Sequence, residues 1–215
     1  MKQLVELPAR WRIDCPVRRI ARPLSSLDEA IAAALARPIS SLPLDMICRP
    51  GNRVTLVCAD PNYEPDELNR AFVPALLREL KSAGVYDEDI TILSATGLRR
   101  PSSPTEIHAR LGDEVAQHYP IFSHNAHDAR EQDDLGVYEH VPVRVNYHAV
   151  EADVLIATGI VQPHLYAGYT GGSKIVAVGC ADAATIHELY SPRFLDDPSV
   201  RAGNIEGNAC QRAIR

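Results

Sequence analysis

Three short apolar runs constrain this chain more than anything else in it. VTLVCA (Val54 to Ala59), ITILSA (Ile90 to Ala95) and DVLIAT (Asp153 to Thr158) are rich in β-branched and aliphatic residues. Runs of this length read as strands buried on both faces of a sheet. Each ends in small or polar residues: Ala59-Asp60, Ala95-Thr96-Gly97 and Ala157-Thr158-Gly159. Segments of helical period lie between them, so the alternation predicts an α/β fold, a Rossmann-like mostly parallel sheet with flanking helices. In such sheets ligands bind in the crevice beyond the carboxyl ends of the strands. The polar residues that follow each run are therefore the first place to look for chemistry.

The helical segments have recognisable ends. Leu27 to Leu35 follows Ser25 and Ser26, either of which suits an N-cap, and places Glu29 in the first turn. Asp66 to Ala83 carries Leu68, Phe72, Leu76 and Leu80 at helical spacing and stops at Gly84. Pro74 should kink that helix or lie near its true start. Thr105 to Leu111 and Ala183 to Leu189 complete the helical set, and Leu4 to Leu7 reads as a further short strand. The closing GNACQRAIR reads as the start of a helix, so a continuation is expected beyond it.

Composition narrows the partners. A formal net charge of -6 argues against a nucleic-acid binder, which carries a basic stripe, and favours a small molecule. The five cysteines, Cys15, Cys48, Cys58, Cys180 and Cys210, form no C-x-x-C pair, so zinc ribbons and thioredoxin motifs are excluded. Free thiols point to a reducing, cytoplasmic setting. No apolar run is long enough for a membrane span.

One stretch concentrates reactive groups. From Gly168 the sequence reads Gly168-Tyr169-Thr170-Gly171-Gly172-Ser173-Lys174: three glycines, hydroxyls and a lysine. Glycines let backbone N–H groups converge on an anion, and a lysine adds a point charge. The order is not that of a Walker A loop, and a plain glycine turn with a solvated lysine explains the same letters. His164 precedes this loop and has the chemistry of a general base or metal ligand, or of a hydrogen-bonded structural histidine. Asp60 caps the first run, either orienting a ligand hydroxyl or serving a turn. Arg99 and Arg100 follow the second run, as a carboxylate clamp or as solvated loop residues. His124, His127 and Asp128 crowd SHNAHD, where close spacing on a loop favours a structural role over a metal. Cys180 reads as a buried thiol, and His108 as a surface residue. His187 and Tyr190 lie one helical turn apart and should share a face.

The run from Pro163-His164 through Ala167-Gly168-Tyr169-Thr170-Gly171-Gly172-Ser173-Lys174 resembles the P-H-x-x-A-G-[FY]-[ST]-G-G-x-K signature of the lactate racemase family. These are racemases and epimerases that use the nickel-pincer nucleotide. AGVYDEDITILSATG, SHNAHD, VEADVLIATG and RAGNIEGN extend the likeness over nearly the whole chain. The resemblance implies that Lys174 attaches covalently to the cofactor, with Asp60, Gly168, Thr170, Gly171, Gly172 and Ser173 around it. It also implies that His164 exchanges the hydroxyl proton of a 2-hydroxy acid while the cofactor carries the hydride. The chain then corresponds to an N-terminal cofactor-binding domain, ending before the family's second domain, which a separate chain or domain would supply.

Three positions depart from the family pattern. A second histidine belongs in G-T-H-R-P, but this chain has Gly97-Leu98-Arg99-Arg100-Pro101, and arginine is a poor base. A carboxylate-holding arginine is replaced by Tyr63, a contact that Arg99 is placed to restore. The nickel-ligating histidine is replaced by Tyr190, with His187 one turn away as the other candidate. The leading expectation is thus a 2-hydroxy acid racemase or epimerase, with a substrate other than lactate. The alternative is an inactive or repurposed nucleotide-binding module.

Overall fold

The computed structural model describes residues 24–59 and 66–215. Asp60, Tyr63, Cys15 and the short strand expected at Leu4 to Leu7 fall outside those residues. The centre of the molecule is a four-stranded sheet in the order β3-β2-β1-β6. Its strands are β1 (Val54–Ala59), β2 (Ile90–Ala95), β3 (Ile121–Ser123) and β6 (Val154–Thr158). All three pairings are parallel. Two antiparallel pairs lie outside it: β4 (Gln132–Tyr138) with β5 (Val141–Asn146), and β7 (Pro163–His164) with β8 (Gly168–Tyr169).

Strand alternation divides the core in two. Val54, Leu56 and Cys58 of β1, with Ile90 and Ile92 of β2, face one side. There they meet Val73, Leu76, Leu77 and Leu80 of α3 (Asp66–Ser82). Helices α1 (Leu27–Ala36), α2 (Leu44–Ile47), α4 (Pro104–Leu111) and α5 (Asp113–His118) complete that layer. Val57, Leu93 and Ala95 face the other side, against Val145 of β5, Ala149 of α6 (Tyr147–Val150) and Ile175 of α7 (Ser173–Ala177). Burying each of these larger side chains contributes about 1.5–3 kcal/mol, so two opposed apolar faces hold the sheet.

The chain leaves β1 through α3 to β2 on one side and returns through α6 to β6 on the other. Helices therefore cover opposite faces on either side of β1, and the strand order reverses between β1 and β6. A crevice opens at that reversal, beyond the carboxyl ends. Register aligns those ends: Ala59 pairs with Ala95, and Cys58 with Thr158.

Several sequence expectations shift. Ser26, rather than Ser25, caps α1 by accepting from the Glu29 backbone N–H at 3.3 Å. Pro74 lies inside α3, not near its start, and is tolerated within a helix whose apolar face is buried against the sheet. Phe72 is exposed, while Val73 and Leu77 take the core positions beside Leu76 and Leu80. The final segment forms a short helix (Ala209–Ile214), capped by Asn208.

Candidate functional site

Beyond the strand ends lies a cavity of about 360 Å³. Ala59 of β1, Ala95 of β2 and the segment Thr96 to Arg99 form one part of its wall. Gly159, Ile160, Gln162, His164, Tyr166, Thr170, Gly171 and Lys174 form another. Tyr190, at the carboxyl end of α8 (Ala183–Leu189), also lines it.

The loop leading to Lys174 is tied to itself. Thr170 donates its hydroxyl to the Ile160 carbonyl at 2.6 Å and accepts from the Gln162 backbone N–H at 2.9 Å. The Thr170 N–H donates to the Gln162 carbonyl at 2.8 Å. Gly168 is buried, with φ of 76°, and a Cβ there would stand 2.0 Å from the Asn204 carbonyl oxygen. Its glycine is thus required by the packed segment around Asn204, in addition to anything a ligand asks of it. Gly171 faces Val161 and Ile160, whereas Gly172 and Ser173 are exposed at the start of α7.

Close packing brings the second wall to the first. A Cβ at Gly179 would lie 2.8 Å from the Cβ of Ala95. The N–H of Gly97 donates to the Gly179 carbonyl at 2.9 Å. This contact sets the Arg99 loop beside the Lys174 helix. Arg99 is half-buried and lines the cavity. Arg100 turns away: its guanidinium donates to Glu106 at 2.8 Å, and Glu106 in turn closes the capping box of α4 with Ser103. That guanidinium, first, and the Ser103 N–H hold the Glu106 carboxyl well below its usual range.

Lys174 is half-buried in the cavity lining, with no hydrogen-bond or ion-pair partner for its amine among the described residues. Burial pushes its pKa down, which enlarges the neutral, nucleophilic fraction. His164 sits at the end of β7, half-buried. The backbone N–H groups of Tyr166 and Ala167 donate to its Nδ1 at 3.2 and 3.1 Å. Desolvation, and then the charge of Lys174, lower its pKa to about 4, so the ring is neutral near pH 7. Its ring lies 6.3 Å from that of Tyr190, near-parallel, and meets Tyr166 edge-on at 5.8 Å.

Tyr190 and His187 do not share an environment, contrary to the helical-spacing expectation. Tyr190 is the C-cap of α8 and half-buried at the cavity, whereas His187 is exposed and away from its lining. The chain leaves helical geometry at Tyr190, so spacing alone misplaces the pair. The SHNAHD residues also separate. His124 is fully buried, with Nε2 bonded to the Ala181 carbonyl at 2.9 Å. His127 is exposed, and Asp128 pairs with Arg130 at 2.6 Å. No group of three or more His, Cys, Asp or Glu suited to a metal occurs among the described residues. Cys180 and Cys210 are buried thiols, the latter pushed up to about 11 by burial. His108 lies next to Asp113 at 3.2 Å.

Thr96, one of the polar residues that follow the strand runs, also reaches the cavity, as do Gln162, Tyr166 and Ile175. Tyr166 could have been found from its place inside the His164–Lys174 run. Thr96 and Ile175 come from segments that only the fold brings together.

Comparison with known proteins gives a consistent result. Residues 1–203 match the Lactate racemase N-terminal domain family. The lactate racemase of Lactiplantibacillus plantarum is 30% identical over 188 residues, covering 87% of this chain and 44% of that enzyme. The lactate racemase of Thermoanaerobacterium thermosaccharolyticum is 27% identical over 191 residues, covering 87% and 43%. The structure of the latter's apoprotein superposes with a TM-score of 0.79, covering 94% of this chain and 49% of that one. A Thermotoga maritima protein, 18% identical, shares the fold at a TM-score of 0.69, over 87% of this chain and 46% of that one. The chain thus spans less than half the length of these two racemases, and no described helix is long and apolar enough to cross a membrane. With its signature loop set at the reversal of a parallel sheet, the chain belongs to the lactate racemase N-terminal domain family.

Proposed function

We propose that this chain binds a 2-hydroxy acid other than lactate, together with a nucleotide cofactor of the nickel-pincer type, in a racemase or epimerase of the cytoplasm. The observation that carries this reading is Lys174: a half-buried amine lining the cavity at the sheet's reversal, with its pKa lowered by burial. An amine in that state suits the cofactor's covalent attachment, and the cofactor supplies the hydride chemistry when bound. Arg99, on the facing loop, offers a guanidinium to the substrate carboxylate. His164 meets the ligand's oxygen atoms from the β7–β8 turn. A closing domain, in this chain's continuation or in a separate chain, would exclude water from the cavity.

Among the described residues, the donors at the cavity do not fit a nickel ion that draws a ligand from the protein. His164 is the one imidazole in the described lining, and its Nδ1 is engaged by two backbone groups. The remaining candidate at this wall, Tyr190, is a phenol, a harder donor than nickel prefers. This mismatch favours a second reading: a nucleotide-binding module that keeps the lysine attachment without turnover.

Intact-mass spectrometry after co-expression with the cofactor-making enzymes tests both. The first reading expects a covalent mass increase that Lys174→Ala abolishes, together with racemisation of at least one 2-hydroxy acid. An adduct without racemisation supports the second. No adduct, under conditions that load an authentic lactate racemase, refutes both.

A further inference from the structure

The hairpin that carries Tyr166 is too short to fix its own shape. Strands β7 and β8 pair only at Pro163 with Tyr169 and at His164 with Gly168, and an isolated two-stranded hairpin is marginal even at full length. Part of its geometry is set from outside, by the segment from Ser199 to Asn208, which contains the RAGNIEGN run. The Gly203 N–H donates to the Gly168 carbonyl at 2.9 Å. Ala167, inside the turn, is fully buried in a cluster with Leu189, Ala209 and Cys210.

Asn208 makes the longest-range of these ties. It is fully buried. Its Oδ1 accepts from the Gln211 N–H at 2.9 Å and so caps the closing helix. A cap needs only that acceptor, which Asp or Ser supplies equally well. The amide nitrogen does something further. Nδ2 donates to the Tyr166 carbonyl at 2.8 Å, 42 positions earlier in the chain, and to the Asn204 carbonyl at 3.0 Å. Asn204 is the residue against which Gly168 packs, and its own amide donates to the Ser199 carbonyl at 2.7 Å. Tyr166 itself is 39% exposed, so packing alone does not fix its ring. Yet that ring lines the cavity, 5.6 Å from the ring of Tyr190.

We infer that Asn208 is a positioning residue of the candidate site, holding the Tyr166 carbonyl so that the Tyr166 and Tyr190 rings form one aromatic wall of the cavity. Asn208 is not part of the lining and acts through the turn. A wall fixed in advance spares the ligand the cost of ordering it. An acid whose carboxylate is held at Arg99 lays its apolar part on that wall. This ligand contact rests on the function proposed above, whereas the positioning rests on the hydrogen bonds alone.

The test compares three variants, each first measured by chemical denaturation. Asn208→Asp keeps the cap but turns a carboxylate oxygen on two carbonyls. Asn208→Ser keeps an acceptor for the cap and removes both donors without adding charge. Leu80→Ala, in the core on the α3 side of the sheet, is the reference for a purely structural loss. The readouts are the Tyr166–Tyr190 ring contact, seen as a nuclear Overhauser effect in tyrosine-labelled protein, and the affinity for 2-hydroxybutanoate. Both Asn208 variants should lose the ring contact and bind the probe about tenfold more weakly, the scale of one misplaced contact. Leu80→Ala should keep both. A ring contact that persists in either folded Asn208 variant overturns the inference, as does its equal loss in Leu80→Ala. If neither Asn208 variant folds while Leu80→Ala does, Asn208 serves stability alone and the inference fails. If the unaltered protein binds no 2-hydroxybutanoate, the ligand contact and the proposed function are refuted, and the ring contact alone decides the positioning.

Discussion

Two histidines in this protein share a low pKa, about 4 in each case, yet do opposite work. His124 follows β3 and is fully buried. Its Nε2 bonds the Ala181 carbonyl at 2.9 Å, and its Nδ1 faces the Asn146 amide at 3.5 Å. Thr96 donates to its carbonyl at 2.6 Å, so ring and backbone together bind the β2 loop to β5 and α8. His164 spends only Nδ1 on the fold and leaves Nε2 toward a cavity. Burial lowers both pKa values, so the shift alone does not separate a structural histidine from a cavity-lining one. The number of ring nitrogens the fold consumes does.

The strongest challenge to this contrast is to the turn that pins His164. In Gly168→Ala the new Cβ would collide with the Asn204 carbonyl, at a backbone φ that L-residues avoid. Overpacking and left-handed strain together should cost on the order of 3–4 kcal/mol in chemical denaturation. A loss below about 1 kcal/mol would mean the turn is not rigid. Next comes His124→Ala, which strips partners from the buried Ala181 carbonyl and Asn146 amide and leaves a void. We expect a loss of about 3 kcal/mol, against less than about 1 kcal/mol for His164→Asn, whose oxygen retains the turn bonds. Equal losses would erase the distinction.

A pH series gives the third comparison. The unfolded chain protonates His124 near 6.5, the folded chain only near 4. The unfolded state therefore binds more protons between those values. Stability contributed by neutral His124 is complete above about 6.5 and lost as pH falls toward 4, by roughly 3 kcal/mol at 1.36 kcal/mol per unit. His124→Asn should flatten that slope by one proton, measured by denaturation midpoints across the range. The smallest expected effect is in Lys174→Met. Removing the ammonium should raise the His164 pKa, though desolvation, the larger cause, should keep it below the free value. An NMR titration showing no upward shift would place the lysine charge elsewhere.

Much of this architecture was legible in advance. The limits of β1 and β2 follow from runs of buried residues bounded by turns, and α8 agrees with its apolar spacing. The hairpin of β4 and β5 was not legible: most of β4 is exposed, so it lacks the alternation that a half-buried strand shows. The helix from Asp66 was legible from its apolar spacing, but Pro74 lies inside it rather than near its start. At the site, His164 and Lys174 were visible because their motif is local, and Arg99 because it follows a strand. His187 looked as eligible as Tyr190, since spacing cannot show where a helix stops turning.

The sequence alone determined the parallel α/β layering, the position of the reactive loop and the family to which it belongs. Those depend on local composition and on contiguous motifs. Tertiary structure decided that Arg99 rather than Arg100 faces the cavity, that Tyr190 rather than His187 forms its wall, and that Nδ1 of His164 accepts from two backbone N–H groups. These outcomes depend on close backbone approaches, at Gly179 against Ala95 and Gly168 against Asn204, between segments distant in the chain or brought round by a turn. Such contacts set the direction of a side chain and the state of its nitrogens, and no linear pattern encodes them.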